Sequence, residues 1–169
     1  MRYIAVGIVL LISSIFHTNI AGQLEMFGVS PNIFVILVTC FALVGGAFKG
    51  AASGFAAGLI QDVVVGVAVG GYTLLGMYTG LIVGAMNKRF VKDNLLVAIC
   101  FVFLTTIVYQ TLFYFFAIYL SGQTAVLYAF RKIILPEAVY NAAITILVFP
   151  IVLKLECWLN EYEKVTRKY

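Results

Sequence analysis

The stretch Gly50-Ala51-Ala52-Ser53-Gly54-Phe55-Ala56-Ala57-Gly58-Leu59-Ile60-Gln61-Asp62 decides how this chain is read. Glycine recurs at every fourth position, and one aspartate ends an otherwise uncharged run. Residues four apart share a face of an α-helix, so Gly50, Gly54 and Gly58 form a ledge of bare backbone along one side. In water each glycine would cost a helix about 0.8–1 kcal/mol relative to alanine. In lipid, where burying Leu against Leu gains little, small residues are the usual route to close helix contact. The next apolar run repeats the device at Gly76, Gly80 and Gly84. Two readings stay open for these rows: they pack the two helices on each other within the chain, or one of them seats a helix of another membrane protein.

The surrounding composition supports a lipid environment. The chain has 169 residues, 63% of them hydrophobic and 11% charged, against about 25% charged in an ordinary soluble domain. A domain of this size cannot hide so much apolar surface from water. A water-soluble globule, a disordered chain and a nucleic-acid binder are thereby excluded. Three cysteines, Cys40, Cys100 and Cys157, are too scattered for a disulfide framework or a metal cage.

A helix needs about 20 mostly apolar residues to cross the hydrocarbon core. Six runs qualify, at 3–20, 32–48, 50–69, 72–87, 95–120 and 137–155, with Pro136 suited to the first turn of the last. The expected fold is therefore all-α, a single six-helix transmembrane domain over residues 1–169. The first run reads as a span in place of a cleaved leader, because it is long enough to cross and five more follow. Between the fifth and sixth spans, residues 121–135 place Val126, Leu127, Phe130, Ile133 and Ile134 on one helical face. This segment reads as a short amphipathic helix on the outer surface, or else as an extension of a neighbouring span. Residues 160–169 form a charged tail.

The basic residues test the count. With the N-terminus inside, the inner segments hold Arg2, Lys49, Lys88, Arg89, Lys92, Lys154, Lys164, Arg167 and Lys168, and the outer segments hold only Arg131 and Lys132, which accounts for all 11. That asymmetry follows the positive-inside rule through all six spans and puts both termini in the cytoplasm. Trp158 and Tyr162 suit an aromatic belt at the inner face.

Asp62 lies about 20 Å along the helix from Lys49 at the usual rise, past the midplane. A charged aspartate within a span costs about 2.5–3.5 kcal/mol, so it should face protein or water. Glu137, Tyr140, Asn141 and Arg131 are expected at the same level, and a polar cluster of Asp62 with these residues is one reading. Surface hydration of Asp62, or a ligand or ion site, are the others.

Nothing in the chain points to catalysis. His17 is the single histidine, no metal-ligand, phosphate-loop or nucleophile-elbow pattern occurs, and Ser53 is expected at the opposite face of the membrane from His17. The reading is of a non-enzymatic protein with neither cofactor nor metal, working by binding.

Three segments carry a resemblance. Gly54-Phe55-Ala56-Ala57-Gly58-Leu59-Ile60-Gln61-Asp62, Pro31-Asn32 at the start of the second span, and Leu135-Pro136-Glu137-Ala138-Val139-Tyr140-Asn141 entering the last resemble the bacterial rod shape-determining protein MreD family. Size, span layout and the short basic tail agree along the whole chain, while Gln61 stands where that family has an aliphatic residue. The resemblance implies a multi-pass protein of the bacterial inner membrane in the cell-elongation machinery. It implies a single-span MreC-like partner, RodA and a class B penicillin-binding protein nearby, and an indirect link to MreB filaments. The glycine rows would then be the partner's seat. It also implies a fold similar to the S components of energy-coupling-factor vitamin transporters. Hence the rival reading: a solute-binding component whose pocket is lined by Asp62, Glu137, Tyr140 and Asn141.

Overall fold

The computed structural model describes residues 29–65, 70–86, 94–121 and 130–166. The expected first span, His17, the outer loop up to Gly28, the basic loop 88–92 and most of the segment 121–135 lie outside them. The helices are α1 (Ile33–Gly45), α2 (Ala47–Val65), α3 (Gly71–Met86), α4 (Leu95–Ser121) and α5 (Leu135–Thr166), the last preceded by a π-helical turn at Phe130–Ile134. Two stretches, Leu95–Phe115 and Phe130–Leu159, are long and apolar enough to cross a membrane, and α1 and α3 are shorter apolar helices.

α1 begins where Asn32 caps it, the side-chain Oδ1 accepting from the Val35 N–H at 3.3 Å, the bond that an N-cap residue supplies to an otherwise orphan donor. It ends at Gly46, whose φ of 85° lies in the left-handed region and whose N–H donates to the Ala42 carbonyl at 2.9 Å. The chain turns on this single residue and restarts as α2. The second span therefore stops short of the expected 48, and Phe48 and Lys49 belong to the first turn of α2. Every residue from Phe34 to Leu43 is buried, because α1 is packed by α2, α3, α4 and α5 together. It is the core helix, at 13 residues, or about 20 Å.

α2 and α3 form an antiparallel pair along the two glycine rows. Gly50 meets Gly80, Gly54 meets Gly76, Gly58 meets Tyr72 and Thr73, and Gly84 meets Gly46 and Ala47. A Cβ at Gly76 would stand 2.6 Å from the Gly54 carbonyl oxygen, and one at Gly50, Gly54 or Gly80 would overlap a facing carbonyl. α1 rests on the same glycines: a Cβ at Gly76 would also reach Phe34 Cζ at 2.8 Å, and one at Gly50 would reach Ala42 Cβ at 2.7 Å. The six glycines expected as a partner's seat are all buried within the chain. Backbone-to-backbone contact within the chain takes up these faces, which is the internal packing that is one of the two readings. The hairpin closes through Gly70, at φ 92° with open space around its α-carbon.

α4 and α5 pack on each other and on α1. Their inward stripes carry small and polar residues: Ala98, Val102, Thr105, Thr106 and Tyr109 on α4, and Glu137, Ala138, Asn141, Thr145, Phe149, Val152 and Glu156 on α5. Val139, Ile146, Leu147, Ile151 and Trp158 face outward. α5 continues beyond the expected span end at 155 and runs unbroken to Thr166 with Pro150 inside it. Near its C-terminal half, the buried Glu156 pairs with Lys49 of α2 at 3.8 Å.

Gly54→Leu and Gly80→Leu should each lower the stability of the detergent-solubilised protein by about 3 kcal/mol or more, since a well-packed contact has no room for the side chain. Gly70→Ala meets no neighbour and should cost only the left-handed backbone term, about 1–2 kcal/mol. Thermal unfolding followed by circular dichroism ranks the three.

Candidate functional site

The polar residues within the helices fall into two adjoining groups. In the first, the Asp62 carboxylate near the end of α2 accepts from the backbone N–H groups of Tyr72 and Thr73, each at 3.0 Å, and from the Thr73 hydroxyl. Tyr72 and Thr73 open α3, so Asp62 caps that helix from across the hairpin. Orphan donors and the positive end of the helix dipole are what a carboxylate needs in place of water. This is a different use of the residue from the three foreseen.

The second group joins α1, α4 and α5. The Asn32 N–H donates to Asn141 Oδ1 at 2.8 Å. Asn141 Nδ2 donates to Thr106 Oγ1 at 3.1 Å, and the Thr106 hydroxyl donates in turn to the Val102 carbonyl at 2.8 Å. Thr145 returns to the Asn141 carbonyl at 2.7 Å. One turn earlier, Gln110 Nε2 donates to both oxygens of Glu137, at 2.5 and 2.6 Å, with the Asn32 and Asn141 amides beside the carboxylate. Asn141 is fully buried and Glu137 is 3% exposed.

The expected cluster is therefore brought together only in part. Glu137 and Asn141 share one network. Asp62 is hydrogen-bonded to α3 instead. Arg131 is exposed, and together with Tyr140 it lines a separate apolar hollow of about 550 Å³ with Val29, Leu135, Pro136 and Val139. Arg131 stands six residues before Glu137, about 240° round a helix of 3.6 residues per turn, so the two do not share a face. A smaller cavity of about 220 Å³ opens beside Glu137 and Gln110, walled by Tyr72, Tyr109, Phe113 and Tyr114, with Gln61, Asn32 and Ser30 at its edge.

The family model described as rod shape-determining protein MreD matches residues 1–157. The chain belongs to the MreD family. It is a membrane protein of a rod shape-determining family, one of structural proteins and not of known enzymes. No curated protein and no solved structure matches it. The segments that suggested MreD lie at the joints of this architecture: Asn32 caps α1, Asp62 caps α3, and Glu137 and Asn141 tie α5 to α1 and α4.

Gln110, Thr106 and Thr73 were not foreseen. Gln110 is the one amide in the run 95–120, a signal of the same kind that singled out Asp62. The two threonines carry no such mark, since a hydroxyl is easily accommodated by a helix's own carbonyls.

Asp62→Ala should cost about 1–2 kcal/mol, the loss of a cap, with Asp62→Asn milder because one acceptor survives. Asn141→Leu leaves the part-buried Asn32 N–H without its acceptor and should cost about 1–3 kcal/mol. Melting temperatures in one detergent check both, and equal melting of Asp62→Ala and the parent would remove the capping role.

Proposed function

We propose that this protein is a non-enzymatic scaffold of the bacterial cell-elongation complex. It crosses the inner membrane six times with both termini in the cytoplasm, in an arrangement like the S components of vitamin transporters. It binds an MreC-like single-span partner and so helps couple MreB filaments to peptidoglycan synthesis by RodA and a class B penicillin-binding protein. The family match over residues 1–157 carries this reading. Two features favour a rigid support: an α1 helix buried on every side and a hairpin closed backbone to backbone. Because the glycine rows are consumed internally, the partner's helix meets side chains and not bare backbone. The rival, a solute-binding component, draws support from the 220 Å³ cavity.

Affinity purification of the tagged full-length chain from its own membranes should bring down an MreC-like protein in defined ratio, and loss of the chain should turn rods into spheres. Purification without any such partner, from cells whose shape is unchanged by its loss, would defeat the scaffold reading. Reporters fused at the C-terminus and within 18–28 should report cytoplasmic and outer locations respectively.

A further inference from the structure

We propose that the cavity lined by residues of α2, α3, α4 and α5 and by the Asn32 cap of α1 is a binding site for an ammonium group. The inference is independent of the scaffold reading and concerns a ligand, not a protein partner.

Three observations converge on the cavity. Its walls are aromatic: the Tyr72 and Phe113 rings lie 4.7 Å apart at 33° to each other, and Tyr109 and Tyr114 complete the lining. Ring faces carry the negative end of the aromatic quadrupole and attract cations, most strongly where water is scarce. Its floor is a carboxylate. Glu137 is 3% exposed, and the groups beside it are the neutral amides of Gln110, Asn32 and Asn141. Arg131, the cation expected there, lines the other hollow.

The third observation concerns the Tyr109 hydroxyl. Tyr109 is 2% exposed and lines the cavity, yet its hydroxyl has no hydrogen-bond partner among the described residues. A buried hydroxyl left in that state is destabilising. An ammonium N–H, or the positive methyl or methylene groups around a substituted nitrogen, would meet its oxygen, the ring faces and the carboxylate together.

Other ligand classes fit less of this. An anion would face the Glu137 carboxylate. A neutral apolar molecule would leave the Tyr109 hydroxyl unmet. A hard metal ion requires several oxygen ligands, whereas these walls are rings and both Glu137 oxygens already accept from Gln110. Two sources can supply the group: the ethanolamine headgroup of a membrane phospholipid, or a free amine.

The test uses the full-length protein, purified in detergent and separately in nanodiscs. In detergent it is titrated with ethanolamine and with tetramethylammonium, against sodium chloride at equal ionic strength, and the melting temperature is followed. In nanodiscs, phosphatidylethanolamine is compared with phosphatidylglycerol, and native mass spectrometry counts retained lipid. Saturable stabilisation by the soluble amines assigns the site to a free amine. Stabilisation and retention with phosphatidylethanolamine alone assigns it to the headgroup. In either case Tyr109→Phe, which deletes only the unpartnered hydroxyl, should leave the ligand-free melt unchanged or raised while weakening binding about 10-fold. Phe113→Leu should weaken it by about 3- to 30-fold, the range of a cation–π contact. No stabilisation beyond that of sodium, or binding indifferent to both substitutions, would overturn the proposal and leave a water-filled cavity.

Discussion

The contact on which the rest of the molecule depends is the approach of backbone to backbone between α2 and α3. Gly54 and Gly76, and Gly50 and Gly80, stand so close that a single methyl group would not fit between them. Helices in lipid gain little from hiding apolar side chains, so their association relies on packing density and direct polar contact. A glycine row supplies the densest packing available to a helix pair. It also offers a flat floor on which Phe34 and Ala42 of α1 come to rest. From there α1 is enclosed by four helices, and the remaining pair, α4 and α5, closes around it.

Polar groups then finish what glycine starts. Each joint between helices carries a donor and acceptor that no water need satisfy: Asp62 on the first N–H groups of α3, Asn141 between the start of α1 and Thr106 of α4, and Gln110 on Glu137. An unsatisfied polar atom within a bilayer costs several kcal/mol, so these bonds fix rotation and depth of helices that packing alone would let slide. Among the described residues two buried hydroxyls, those of Thr39 and Tyr109, have no partner, and that of Tyr109 belongs to the lining of the cavity beside Glu137.

Much of this was legible in the chain, and what was not has a common cause. Asn32 marks the start of α1, Pro136 falls in the first turn of α5, and both glycine rows and Asp62 announce themselves by spacing or by charge. The inward faces of α4 and α5 did not. A soluble helix advertises its buried stripe by apolar periodicity, whereas Val102 and Leu104, or Val152 and Ile151, are equally apolar and end on opposite sides. The helix ends were missed for a related reason. Gly46 interrupts a run that is uniformly uncharged, and only its left-handed φ separates α1 from α2.

The sequence by itself determined that this is an all-helical membrane protein, that two helices carry glycine faces, and that one aspartate needs protein partners. Those conclusions rest on solvation and residue size, which act locally. Which faces meet was decided only in three dimensions. The glycine rows turned on each other and not outward, Asp62 capped a neighbouring helix while Glu137 kept Asn141, and Arg131 was carried away from both. Pairing of this kind depends on which donors and surfaces arrive at the same depth and rotation. That is a property of the assembled helices and of no single one.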